Sequence, residues 1–398
     1  MSILTVRCNQ PFEARDSSEM GNSVSANCES GSPEVGSGRQ IKVIVAASGT
    51  GGHLIPAMHI AQALKRVEPT CAVEFIGAGR PLEEKLIVEK GYTRHTILSA
   101  GVKRRRLLGV FQFLARMPKG ISQILALYRS FNPDVVVGVG GYVSVLPVIV
   151  ARLKGIPTWI HEAERQPGLA NRVLGYFADA MSTAFADTRV RGRAKIVHTG
   201  HPVREELSGV DGQSVRADAP NRLLILGGSQ GARGLDEAVP HFAPILAERK
   251  IDVVHQCRPE AMELVVNSYR AVGVSAHVVG FIDDMAGAYS WSDVIVSRAG
   301  ASSVAEISAV NRPAVFVPYP FQQGTHQTDN ARVLVDQGKA LLVEETQAEF
   351  PARLKDALVR VLNPSVFREM KSFPLRGNSR DAAQEIARGI VALIKSHP

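Results

Sequence analysis

The sequence predicts two α/β domains in tandem, each a parallel sheet covered by helices. Three observations carry this. Short Val- and Ile-rich runs alternate with amphipathic segments; glycine turns close several of the runs; and the alternation restarts after a linker, GVDGQSVRADAPN, at 209–221. Strands covered by helices on both faces are continuously apolar, whereas a half-exposed strand would alternate. At 398 residues the chain also exceeds what one core comfortably holds.

The first forty residues differ from the rest. MGNSVSANCESGSPEVGSGRQ has almost no bulky apolar side chain, so 1–40 is expected to be a disordered tail. It lacks a basic region followed by a continuous apolar run, which argues against a secretory signal. IKVIVAAS (41–48) then predicts a buried strand, and IPAMHIAQALKRV (55–67) the helix after it. AVEFIG (72–77), DVVVGVG (134–140) and PTWIHE (157–162) predict further strands. Residues 135–151 carry no charge, but three glycines and Pro147 interrupt them, which suits a strand, a turn and a helix start better than a membrane span.

The second set runs RLLILGG from 222, IDVVHQC (251–257), AHVVGF (276–281), DVIVS (293–297) and PAVFVP (313–318). The first domain is expected over 41–203 and the second over 204–378, with the boundary in GHPVREEL (200–207). SRDAAQEIARGIVALIKS (379–396) predicts an amphipathic helix packing back on the first domain.

The four cysteines, at 8, 28, 71 and 257, show neither disulfide nor zinc spacing and suit a reducing compartment. Net charge is +8, and from Lys90 to Pro133 there are nine Lys or Arg and no Asp or Glu. Within that stretch Lys103, Arg104, Arg105 and Arg106 adjoin Leu107, Leu108, Phe111 and Phe113. Basic groups interleaved with large apolar ones point to an anionic membrane surface. A merely solvated basic helix is the alternative, and nucleic acid is not expected as a partner.

In open α/β sheets, ligands sit beyond the carboxyl ends of strands, where helix N-termini suit phosphate. Three glycine turns qualify, at 49–52, 227–231 and 298–303. None has the spacing G-x-G-x-x-G or G-x-x-x-x-G-K-[ST], which argues against NAD and a P-loop. No D-x-D pair occurs, so no metal is expected at a diphosphate. A diphosphate held by backbone amides and hydroxyls is what remains, with no cofactor.

The stretches SGTGGHLIPA, GVGGYVS, LILGGSQGARGLDE, FIDDMAGAYSWSDVIVSRAGASSVAEI and FVPYP…HQTDNA closely resemble the MurG family, over about 41–390. The resemblance implies a GT-B fold, two Rossmann-like domains with a cleft between. It also implies transfer of N-acetylglucosamine from UDP-GlcNAc to the C4 hydroxyl of the muramoyl sugar of undecaprenyl-diphosphate-MurNAc-pentapeptide (lipid I). The anomeric centre inverts, and lipid II forms for peptidoglycan. The enzyme would lie on the cytoplasmic face of the membrane as a peripheral protein.

Residue by residue, the resemblance places the donor on Thr50, Gly51, Gly52, Glu164, Arg204, Ser229, Ile282, Gln327 and the stretch Ala301, Ser302, Ser303, Val304, Ala305, Glu306. Glu306 would accept both ribose hydroxyls, although Ser303 and Glu306 also have the spacing of a helix capping box. Gly140, Gly141 and Tyr142 would hold the acceptor diphosphate. His53 stands where a general base would take the acceptor proton; a phosphate contact or a structural role are its alternatives. Three places depart from the family: HEAE (161–164) has Glu164 for an asparagine, HPVR (201–204) has His201 for an asparagine, and YVSVLP lacks a glycine-proline. A related GT-B synthase acting on another lipid, or a scaffold with weak turnover, would share these motifs.

Overall fold

The computed structural model describes residues 39–49, 51–97, 107–210, 219–228, 231–320, 326–373 and 381–397. The tail lies outside them except for its last two residues, as do Thr50, Lys103 to Arg106 and Ser229. The first domain begins β1 (Lys42–Ala46), α1 (Gly51–Val67), β2 (Ala72–Gly77), α2 (Pro81–Glu83) and β3 (Thr93–Thr96). It continues α3 (Leu107–Phe131), β4 (Val135–Gly138), α4 (Val145–Leu153), β5 (Thr158–Glu162), α5 (Leu169–Leu174), β6 (Ala180–Thr183) and β7 (Lys195–His198). All seven strands are parallel, in the order β3-β2-β1-β4-β5-β6-β7. One face is covered by α1, the other by α3, α4 and α5.

The second domain repeats the plan with β8 (Arg222–Leu226), α6 (Arg233–Glu248), β9 (Asp252–Gln256), α7 (Met262–Ala271) and β10 (Ala276–Val279). Then come α8 (Met285–Trp291), β11 (Val294–Ser297), α9 (Ala301–Val310), β12 (Ala314–Phe316), α10 (His326–Val335) and β13 (Ala340–Leu342). Its six parallel strands run β10-β9-β8-β11-β12-β13. Helices α6, α7, α11 (Phe350–Val361) and α12 (Pro364–Ser372) cover one face, and α8, α9 and α10 the other. Val203, Leu207 and Val210 already pack in this core.

The last helix, α13 (Ala382–Lys395), leaves the second domain and lies on α1. Ala383, Ile386, Ala387, Ile390 and Val391, at helical spacing, enter the first core. Each fully buried isoleucine there contributes about 1.5–3 kcal/mol. Gly389 is where the helix crosses Trp159: a β-carbon would stand 2.4 Å from the indole.

Four strands escape the sequence pattern: β3, β6, β7 and β13. TRHT and KIVH are half-exposed sheet edges with mixed polarity, and AMST and ALL are too short to show a period. One expectation needs correcting. Gly51 and Gly52 are not a free loop but the first turn of α1, which starts four residues ahead of the predicted Ile55. Gly49 alone, at φ +110°, makes the turn out of β1, in a region closed to most side chains.

Candidate active site

The strand order reverses beside β1 and β4 in the first domain and beside β8 and β11 in the second. The loops after these four strands therefore flank the two crevices where such folds bind ligands.

On the first side, the His53 ring at the start of α1 is enclosed by glycine backbone. A β-carbon on Gly140 would stand 3.0 Å from its Nδ1 and Cε1, and one on Gly141 3.5 Å from its Cδ2. Both glycines have positive φ, +86° and +75°. Burial lowers the His53 pKa, against the nearby Val139 carbonyl, which favours the charged form. The imidazole is thus neutral at pH 7, with Nδ1 buried and without a partner among the described residues. Next to it the Ser48 hydroxyl donates to Glu83 at 2.6 Å, and Glu83 also accepts from the Ala78 and Gly79 amides, which braces the turn. Tyr142 follows the glycines and is 43% exposed.

On the second side, Gly228 and Gly231 turn through positive φ after β8, and Arg258 packs against Gly231. After β11, Gly300 is the N-cap of α9 and offers no side-chain cap. Val304 N–H is the first to bond within the helix, to Gly300 O at 3.0 Å. The Ala301, Ser302 and Ser303 amides therefore point out of the helix end, where an anion is favoured. Ala301, Val304 and Ala305 have buried side chains, so they can meet a ligand only through backbone; Ser302 and Ser303 are half-buried.

The capping-box alternative is overturned: Ser303 lies inside the helix, and Glu306 turns elsewhere. Its Oε1 accepts from Arg204 Nε at 2.9 Å and its Oε2 from the Tyr289 hydroxyl at 3.0 Å. Half-buried Arg204 and buried Glu306 thus meet at the junction. Ile282 packs half-buried against the same core, and Gln327 Oε1 accepts from the Tyr319 amide at 2.9 Å.

The domains join through polar contacts. Glu164 accepts from Asn330 Nδ2 at 2.5 Å, while Gln166 donates to Asp329 at 2.7 Å. Burial raises the Glu164 pKa. Its neighbour Arg165 pairs with Asp187 at 2.6 Å and not with Glu164. Beneath this loop Glu162, pushed up to about 7 by burial, accepts from the Glu164 and Gly168 amides and from Asn171.

Two buried imidazoles bridge the domains: His161 Nε2 lies 3.2 Å from His201 Nδ1, and His201 Nε2 lies 2.9 Å from Ser302 Oγ. Burial lowers both pKa values, that of His161 to about 3, and His53 is close enough to lower them further. His59 of α1 lies nearby, with Nδ1 3.5 Å from Pro202 O and its pKa also lowered by burial. Sequence inspection missed Tyr289, Asn330 and His59, for which no local pattern exists; His161 and His201 were visible only as motif letters. A cavity of about 450 Å³ between the domains is lined by Arg165, Asp187, His201, Val304 and Asp336, among others. Ser302 and Glu306 do not line it, but Val304, Ala305 and Ser308 of α9 do.

Comparison with known proteins agrees with the two-domain fold. Residues 43–183 match the glycosyltransferase family 28 N-terminal domain and residues 222–386 its C-terminal domain. The chain is 36% identical over 361 residues to the UDP-N-acetylglucosamine--N-acetylmuramyl-(pentapeptide) pyrophosphoryl-undecaprenol N-acetylglucosamine transferase of Syntrophus aciditrophicus, covering 89% of this chain and 99% of that one. It is equally similar, 36% over 365 residues, to the protein of the same name in Nitratidesulfovibrio vulgaris, covering 90% and 99%. Among solved structures, Acinetobacter baumannii MurG superposes with a TM-score of 0.72 at 30% identity, over 89% of this chain and all of that one. A UDP-GlcNAc 2-epimerase from Neisseria meningitidis shares the fold alone, with a TM-score of 0.61 at 13% identity over 88% and 100%.

Proposed function

This chain belongs to glycosyltransferase family 28, and we propose that it moves N-acetylglucosamine from UDP-GlcNAc to the muramoyl C4 hydroxyl of undecaprenyl-diphosphate-MurNAc-pentapeptide, with inversion. The observation that carries this is the meeting of two helix starts. The α1 end brings a half-buried neutral imidazole, His53; the α9 end, in contact with α1, brings outward amides and two serines, of which Ser302 lies against His201. One end accepts a proton and the other an anion, which are the two demands of displacing a nucleoside diphosphate by an alcohol.

In this scheme the UDP diphosphate lies on the Ala301, Ser302 and Ser303 amides, with Ser229 and the glycine turn after β8 beside it. Glu306 accepts the ribose hydroxyls while Arg204 and Tyr289 hold its carboxylate in place. Ile282 borders the base, and Gln327 and Glu164 lie towards the sugar. The acceptor diphosphate rests on Gly140, Gly141 and Tyr142. His53 takes the C4 hydroxyl proton as the oxygen bonds to the anomeric carbon. The bond from that carbon to the UDP oxygen breaks on the opposite face, and UDP leaves as the anion that α9 stabilises. Transfer of label from UDP-GlcNAc to a lipid I analogue tests the assignment. No transfer to it, with transfer from UDP-galactose to diacylglycerol instead, would move the chain to another lipid acceptor.

A membrane-surface position is part of the same proposal. Among the described residues no helix is long and apolar enough to cross a membrane. Leu169, Val173 and Tyr176 are exposed in and after α5, on the same side of the first sheet as α3. Leu107, Leu108, Phe111 and Phe113 fall in the first half of α3, just after the basic run. Each basic residue near an anionic surface is worth about 1 kcal/mol, so reversing Lys103, Arg104 and Arg105 should release the protein from phosphatidylglycerol vesicles. Unchanged vesicle binding would remove this face from the proposal.

A further inference from the structure

We infer that Trp159, Ser182, His161 and His201 form a directional hydrogen-bond relay whose task is to leave the Ser302 hydroxyl proton free for the donor diphosphate, which makes His201 and His161 positioning residues for nucleotide binding. The inference rests on the proposed donor site at α9. None of the four relay residues is more than 3% exposed, and the chain crosses from the first sheet to the second domain. Trp159 Nε1 can only donate, and it does so to Ser182 Oγ at 3.0 Å. The single Ser182 proton then has two acceptors, His161 Nδ1 at 3.0 Å and Ile160 O at 3.4 Å, and the shorter contact is the histidine.

A neutral imidazole carries one proton, so the choice at Ser182 propagates. If His161 Nδ1 accepts, its Nε2 donates to His201 Nδ1, 3.2 Å away. His201 Nε2 then donates to Ser302 Oγ at 2.9 Å, and the Ser302 proton is left to point outward. In the reverse sense Ser302 spends its proton on His201, and its oxygen turns only lone pairs towards an anion. Burial keeps both rings neutral, so neither can satisfy both senses at once. Gly389 of α13 packs on the Trp159 indole and holds the root of the relay. His201 is thereby more than a tolerated replacement in the HPVR motif.

The test uses the full chain with UDP and uridine in calorimetry. His201→Phe keeps a ring of similar size and removes both nitrogens. It leaves the Ser302 hydroxyl with no donor to fix its proton outward, so it should weaken UDP several-fold and leave uridine within about twofold. Ser302→Ala removes the bond itself and should weaken UDP about tenfold, the worth of one hydrogen bond to a charged group. The double variant should be no worse than Ser302→Ala, because both act through that one bond. Additive losses, or equal loss of uridine and UDP, overturn the relay. Should His201→Phe fail to fold, the unaltered chain decides through ¹⁵N-histidine NMR: with UDP bound, His161 and His201 should both carry the proton on Nε2. A proton on Nδ1 of His201 in that complex overturns the inference. A parent chain that binds neither ligand overturns the donor site itself, whereas UDP binding with additive variants overturns only the relay.

Discussion

The two sheets are built alike at their amino ends and differently at their carboxyl ends. Asp134, just before β4, accepts the Lys42 amide at the start of β1 at 2.8 Å. Asp293, just before β11, accepts the Arg222 amide at the start of β8 at 3.0 Å. The pairing is the same, and it serves the sheet. At the opposite ends the same switch point is dressed twice. The first domain folds glycine backbone around one imidazole, while the second presents outward amides, serines and a carboxylate held by Arg204 and Tyr289. The architecture supplies a crevice, and a handful of residues decide whether it accepts a proton or an anion.

The sharpest way to break that division of labour is His53→Ala. Loss of a general base costs about 10²- to 10⁴-fold in kcat, and UDP affinity should persist because the anion end is untouched. Near-normal turnover at saturating substrates would reduce His53 to a structural residue. The pH profile sharpens the same point. Burial lowers the His53 pKa, so the charged, inactive form appears only below the ordinary 6.5. kcat should therefore fall on acidification with a midpoint below 6.5, and that limb should be absent from the residual rate of His53→Ala. A midpoint above 6.5 would contradict the lowered pKa of this ring.

Glu306→Gln attacks the other side. A hydrogen bond to a charged group contributes about 1.5–3 kcal/mol, so UDP should bind about ten- to a hundredfold more weakly, while turnover at saturating donor changes less. Unchanged UDP affinity in calorimetry, with the fold intact, would exclude the ribose role.

The smallest effect separates the two glycine turns. Gly140 and Gly228 both sit at positive φ, +86° and +77°, and alanine there costs about 1–2 kcal/mol of backbone strain. Only at Gly140 would the methyl also press on the His53 ring, at 3.0 Å; at Gly228 no described atom lies within 4 Å. Gly140→Ala should lower kcat several-fold more than Gly228→Ala at similar loss of thermal stability. Equal kcat values would mean that the glycine at 140 serves only the turn.

Local pattern revealed most of the sheets and the ends of the site. The runs from IKVIVAAS to PAVFVP mark nine of the strands, because a strand covered on both faces must be apolar at every position. SRAGASS opens a helix after such a strand, and GTGGH another, so phosphate at their ends followed from unpaired amides alone. The edge strands TRHT and KIVH left no such mark, since one side of each meets water. The α1 boundary was misplaced because two glycines look like a loop until packing recruits them into a helical turn.

Sequence by itself thus determined the tandem α/β plan, the turns where ligands belong, the family, and His53 and Glu306 as residues to examine. Those properties are written in adjacent letters: periodicity, glycine spacing and the order of motifs. Tertiary structure alone decided what those side chains face. Glu164 meets Asn330, 166 positions away, Arg204 meets Glu306 across 102, and His201 meets Ser302 across 101. Glu164–Asn330 and His201–Ser302 join the two domains, and Arg204–Glu306 ties the start of the second domain to α9. The burial that lowers the His53, His161 and His201 pKa values comes from residues far away in the sequence. Hydrogen-bond direction and desolvation depend on three-dimensional enclosure, which no local stretch of sequence encodes.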